Sequence, residues 1–204
     1  ILMPMDPISK LTEYFKEFPG IGPRQAKRFV YFLLTRNSAY LEDVARLITE
    51  IKKNVKMCAS CFRFFQSNSD TICPTCSDTT RDTAQLMLVS RDVDFEAVEK
   101  SKVYNGYYFI LGGTIPILDK EPERRVRLNE LKNKIIKSNP KEIIISMSIT
   151  ADGENTTQYL KDFIVGINKD IKISIPGRGF STGSELEYSD KETIKSALEN
   201  RNII

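Results

Sequence analysis

Cys58-Ala59-Ser60-Cys61, eleven intervening residues, then Cys73-Pro74-Thr75-Cys76: this stretch holds every cysteine of the 204-residue chain. Two C-x-x-C pairs at such a spacing suit a tetrahedral metal site, each pair closing a tight loop around one edge of the ion. The chain has no histidine, so thiolates must supply all four ligands. Four thiolates complete a zinc shell and leave no position open to a substrate. One structural zinc per chain is therefore expected. The competing reading is a pair of disulfides or four unrelated thiols. Disulfides persist in oxidising compartments, and no basic segment followed by an apolar stretch marks an export signal. Reduced cysteines without a signal point to the cytoplasm. Met5-Asp6-Pro7 reads as a natural start, with residues 1–4 ahead of it.

Hydrophobic content of 41% and charged content of 28% are those of an ordinary globular protein. No apolar run is long enough to span a membrane. The net charge is only +3, but it is unevenly spread. Residues 1–57 carry ten Lys or Arg against six Asp or Glu, while the remainder carries twenty against twenty-one. The basic surplus lies wholly before the cysteine stretch, as expected of a part that faces nucleic acid.

Ahead of the cysteines the apolar spacing predicts three helices. The first, 6–18, has Ile8, Leu11, Tyr14, Phe15 and Phe18 on one side. The second starts at Pro23 and runs to about Thr35. The third, 41–53, carries Leu41, Val44, Ala45, Leu47, Ile48 and Ile51 as its stripe. Pro19-Gly20-Ile21-Gly22 breaks the first two apart. Those glycines permit backbone shapes and approaches that side chains block. The helix that follows offers free N–H groups and a positive dipole end to an anion. Arg24, Lys27 and Arg28 fall in its first two turns, and no acid lies between Gly20 and Arg36. The run Pro19-Gly20-Ile21-Gly22-Pro23-Arg24-Gln25-Ala26 resembles the helix-hairpin-helix family. That resemblance implies sequence-independent contact with DNA phosphates through Gly20, Ile21, Gly22, Arg24, Lys27 and Arg28. The plainer alternative is a helical turn whose glycines serve packing alone.

Beyond the cysteines, strands alternate with helices, which predicts a mainly parallel sheet covered by helices. Strands are expected at 84–89, 107–111, 142–147 and 171–175. Helices are expected at 92–100, 123–138, 155–166 and 190–200. Function in such sheets sits at the carboxyl ends of strands. There the chain has Thr150-Ala151-Asp152-Gly153-Glu154, two carboxylates that could converge on one magnesium ion. Equally, they could cap a helix starting at Asn155. The region resembles the Toprim domain of topoisomerases, primases and some nucleases. Where that family carries a glutamate after its first strand, this chain has Ser90, with Asp92 and Asp94 two and four residues on. Catalysis lacks its third acid, and a topoisomerase would need a nucleophilic tyrosine on a further domain.

As a set, Pro19-Gly20-Ile21-Gly22, the four cysteines, Leu111-Gly112-Gly113, Asp152-Gly153-Glu154 and the run from Arg178 to Tyr188 resemble the RecR family of bacterial recombination mediators. The last run matches its R-G-x-x-x-G-x-x-L-E-Y signature. The resemblance implies a multidomain α/β chain: a helix-hairpin-helix domain at 5–56, a small four-cysteine zinc finger at 57–80, a Toprim-like domain at 81–177 and a short C-terminal segment at 178–204. It implies a non-catalytic homo-oligomer, a tetrameric DNA clamp that works with RecO-type and RecF-type partners to load recombinase on gapped or single-stranded DNA. Asp152 and Glu154 would then meet partners or a weakly held magnesium ion. The rival reading is a divalent-metal-dependent Toprim nuclease or primase-like enzyme. A third is a zinc-dependent adaptor whose hairpin only packs.

Overall fold

The computed structural model describes residues 6–67, 69–177, 179, 183, 187 and 189–199. It divides into two compact units, residues 1–55 and 56–204.

The first unit is helical. Helix α1 (Pro7–Lys16) starts on Asp6, whose carboxylate accepts from the N–H of Ile8 and Ser9. Helix α2 (Pro23–Leu34) packs against it, and the close approach is made at Ala26 and Val30, the buried residues of that helix. Phe15 stacks on Phe18 and meets the edge of Phe29. The connection is a tight turn: Phe18 O accepts from Ile21 N (3.0 Å), and Gly20 stands at φ +78°. Pro then Gly at the centre of such a turn is the type II pattern, in which the second residue needs a positive φ. Helix α3 (Ser38–Asn54) follows, capped by Asn37. Its apolar stripe departs from expectation. Leu47, Ile48 and Ile51 are 48%, 64% and 59% exposed, and none of the residues of α3 is buried within the chain.

The second unit opens with two short paired strands, β1 (Val55–Met57) and β2 (Phe64–Gln66), and a single helical turn, α4 (Pro74–Ser77). Then come β3 (Asp82–Val89), α5 (Asp92–Ser101), β4 (Gly106–Ile110), α6 (Leu128–Ser138), β5 (Glu142–Ser146), α7 (Ala151–Ile167), β6 (Lys172–Ser174) and α8 (Lys191–Glu199). The four longer-range strands form one parallel sheet in the order β4-β3-β5-β6. The chain leaves β3 in one direction to reach β4, then returns past it to β5. Right-handed crossovers place helices on opposite faces when the direction reverses. Accordingly, α6 and α7 bury Leu131, Ile135, Leu160 and Ile164 against Leu86, Leu88, Phe109, Ile143 and Ile145. The other face, Met87, Val89, Tyr108 and Ile110, is covered by Phe95 of α5 and by Cys58, Cys61, Phe65 and Cys73. The cysteine stretch is thus one of the layers of this α/β unit.

Two helix starts differ from the sequence-based expectation by four residues or more, while α3 starts three residues early and α1 is shorter than expected at both ends. The helix expected at 123–138 is a 3-10 turn (Pro122–Arg124) followed by α6, which begins only at Leu128. The break occurs because Val126 is buried and Arg127 turns its N–H to Leu111 O (3.0 Å), tying the segment to the end of β4. The helix expected from Asn155 starts four residues earlier, at Ala151, capped by Thr150 Oγ1 accepting from Gly153 N (3.2 Å). Asp152 and Glu154 therefore lie inside the first turn of α7, neither on a strand-end loop nor at the cap itself. The Arg178–Tyr188 signature lies largely outside the described residues.

Candidate functional site

In the first unit the feature of interest is the start of α2. Gly22 is its N-cap, and no side chain caps the exposed N–H groups that follow. A Cβ added at Gly22 would meet nothing within 4 Å, so the space in front of this helix end is open. Arg24, Lys27 and Arg28 are exposed, and none of them is ion-paired among the described residues. Lys27 rests over the ring of Tyr31, 5.9 Å from its centroid. Free amides, a helix dipole and three uncommitted cations can together hold an anion.

The four cysteines come together in the second unit. Their sulfurs all lie within 4.8 Å of one another, and Cys61 and Cys73 Sγ are 3.6 Å apart. Tetrahedral zinc–sulfur bonds of about 2.3 Å require sulfur–sulfur separations of about 3.8 Å, so the donor set fits a metal ion of that kind. Without a cation the sulfurs cannot all ionise. The Cys61–Cys73 hydrogen bond lowers the Cys73 thiol and pushes Cys61 well above the usual thiol range. A divalent ion resolves that conflict by taking all four as thiolates. The first knuckle is shaped by Cys58 N donating to Arg63 O (2.8 Å) and by Phe62 at φ +65°. Backbone N–H groups of Ser60 and Cys73 point at Cys58 Sγ (3.4 and 3.3 Å), offsetting thiolate charge.

The knuckle is bonded to the sheet. Ile110 N donates to Cys61 O (2.8 Å), so the cysteine loop continues the hydrogen bonding of edge strand β4. Phe62 packs on Phe109, ring centroids 5.3 Å apart, and Phe64 N donates to Asp92 Oδ1 (2.7 Å). Arg127 donates from Nη1 to Ile110 O (2.9 Å) with its guanidinium over Phe62. None of these partners is recognisable from the spacing of cysteines. Arg127 lies 70 residues beyond Met57, which its other nitrogen also reaches.

At the carboxyl ends of the strands the acids do not gather. Ser90 is buried, and its hydroxyl donates to Asp94 Oδ2 (2.5 Å), which also accepts from Arg91 N (2.9 Å). Asp94 is thereby used in starting α5, and Asp92 in holding Phe64. Gly153 sits where a Cβ would come within 1.9 Å of Ser148 O, so close packing of α7 on the end of β5 demands glycine there. A cavity of about 550 Å³ lies beside it, lined by Met147, Ser148, Glu154, Thr157, Ile175 and Asp190 among others. Among the described residues, the four cysteines are the only group of three or more His, Cys, Asp or Glu whose ligand atoms converge. No helix among them is long and apolar enough to cross a membrane.

These features define a class: a helix-hairpin-helix unit joined to a Toprim α/β unit that carries a four-cysteine cluster. Family profiles divide the chain the same way. One described as "RecR, helix-hairpin-helix" matches residues 8–52, "Toprim domain" matches 84–175, and "RecR, C-terminal" matches 181–202. The chain is 34% identical over 191 residues to the recombination protein RecR of Ureaplasma urealyticum serovar 10, covering 94% of this chain and 93% of the relative. It is 32% identical to the proteins of that name from Prochlorococcus marinus and Lactococcus lactis subsp. cremoris, over 96% of this chain and 95% and 96% of theirs. The chain belongs to the RecR family of recombination proteins.

Proposed function

We propose that this protein is a non-catalytic, DNA-binding recombination mediator in recombinational DNA repair. The observation that carries this reading is the uncapped, open start of α2 with three cations around it that form no ion pair among the described residues, in a chain related to a recombination protein over 94% of its length. The anion it holds is DNA phosphate, contacted without regard to sequence by the backbone of Gly20, Ile21 and Gly22 and by Arg24, Lys27 and Arg28. One hairpin makes few phosphate contacts and binds weakly. Several in one assembly gain by effective concentration without any new contact. The exposed stripe of α3 supports such an assembly, since Leu47, Ile48 and Ile51 are left uncovered by the described residues of its own unit. The protein then works as a homo-oligomer, a tetrameric clamp, in the bacterial cytoplasm. With RecO-type and RecF-type partners it loads recombinase on gapped or single-stranded DNA. The cysteine cluster holds one structural zinc, and the face carrying Asp152 and Glu154 receives a partner.

Replacing Arg24 and Arg28 with Glu is expected to abolish DNA retention in a mobility-shift assay while leaving the oligomer intact. Retention equal to wild type would favour a protein–protein adaptor. Incubation of DNA with magnesium or manganese should produce neither cleavage nor synthesis. A metal-dependent activity lost in Asp152→Asn would defeat the mediator reading.

A further inference from the structure

Three of the four cluster sulfurs are sealed: Cys58 and Cys73 expose none of their surface and Cys61 only 1%. Cys76 alone is partly exposed. It lines a cavity of about 250 Å³ together with Ser60, Gln85, Tyr107, Lys134 and Ser138. Lys134 comes from α6 to donate from Nζ to Ser60 Oγ (2.7 Å), and its ammonium sits 5.8 Å from the centroid of the Tyr107 ring. A fixed cation therefore stands in the same small cavity as the one approachable sulfur. Partial exposure in a cavity opens a cysteine to small reactants, while buried thiols stay inert. The cavity suits a molecule of a few heavy atoms and is too small for a peptide.

We propose that this cavity admits a hydroperoxide to Cys76, making the cluster a site of oxidation that begins at this one residue. With hydrogen peroxide, the Cys76 thiolate attacks one oxygen. The S–O bond forms, the O–O bond breaks, and hydroxide leaves with a hydrogen bond from Lys134 Nζ, giving the sulfenic acid. A second thiolate of the cluster, with all sulfurs within 4.8 Å, then attacks the Cys76 sulfur. The S–S bond forms, the S–O bond breaks, and a second hydroxide departs. Two thiolates have lost two electrons in total, and the peroxide has become two hydroxides. Two remaining thiolates could not close a four-coordinate shell, so a zinc ion held by the cluster would be released. The thiolate state of Cys76 and the loss of metal both rest on the structural-zinc reading; the choice of Cys76 by its exposure does not.

The test uses the full-length reduced protein. Its zinc content is measured first by elemental analysis, which examines the zinc reading alone. Hydrogen peroxide is then added with dimedone, adducts are mapped by mass spectrometry, and released zinc is followed with a chromophoric chelator. Dimedone is expected on Cys76 ahead of every other cysteine, with zinc release following it. Lys134→Gln should slow both by at least about tenfold, losing a donor to the leaving oxygen, with resting zinc content and thermal unfolding unchanged. Lys134→Arg should restore most of the rate. A first adduct on Cys58, Cys61 or Cys73, an even spread, or an unchanged rate in Lys134→Gln would each overturn the proposal. Protein free of zinc would defeat the zinc reading, and the adduct position would still decide for or against Cys76.

Discussion

Gly153 shows how a motif read as chemistry can be an instrument of packing. The backbone of α7 crosses so close to Ser148 O that a methyl group would stand 1.9 Å from it, and the obstacle is a carbonyl that cannot swing away. Gly153→Ala is expected to cost about 3 kcal/mol, read as a lowered denaturation midpoint at unchanged slope. Glu99 offers a second test. Burial pushes its carboxyl up, but the Arg81 guanidinium, which bonds it with both terminal nitrogens, outweighs this and holds it below its ordinary 4.5. A carboxyl so held stabilises the fold at pH values above 4.5, and that contribution is lost as pH falls through the lower folded value. Glu99→Gln should therefore lose about 2 kcal/mol at neutral pH and show a shallower loss of stability in acid. The measurement is urea unfolding across pH.

Among elements, the cysteine knuckle and strand β4 depend on each other most. The sulfurs share a buried cluster with Met87, Val89, Tyr108 and Ile110, and Cys61 O takes the N–H of Ile110. Removing a metal held by the cluster should therefore loosen the sheet face as well as the loop. Amides of β3 and β4 are expected to lose hydrogen-exchange protection along with residues 58–76 when a strong chelator is added. Loss confined to 58–76 would mean the finger melts alone. Helices responded to their neighbours in the same way. The 3-10 turn before α6 exists because Arg127 and Val126 are claimed by β4 and the core, while a 16-residue helical pattern alone would have run on.

The whole molecule poses the question of what covers α3. Apolar residues recur along it at helical spacing, yet the described residues of its own unit bury none of them, and Leu34 on α2 is 61% exposed as well. If α3 joins copies in the proposed clamp, lysine at both Ile48 and Ile51 is expected to shrink the species seen by light scattering and to weaken DNA retention, because avidity goes with it. Wild-type retention should fall steeply as salt rises, and the smaller species should show a shallower slope.

Sequence by itself determined the parts whose causes are local. The two C-x-x-C pairs, the type II turn at Pro19-Gly20, the acid-free basic start of α2 and the alternation of strands with helices each depend on residues a few positions apart, where backbone geometry and periodicity act directly. The RecR resemblance also rests on short runs, the stretch from Arg178 to Tyr188 among them. Tertiary structure alone decided that the cysteine stretch is a layer of the α/β unit, that Asp92 is spent on Phe64, and that Lys134 lines the same cavity as Cys76. The first of these follows from burying sheet surface, and the others from bonds such as that of Lys134 to Ser60, 74 positions away. Burial is non-directional and indifferent to separation along the chain, so no local pattern of residues announces which distant partner will complete a face.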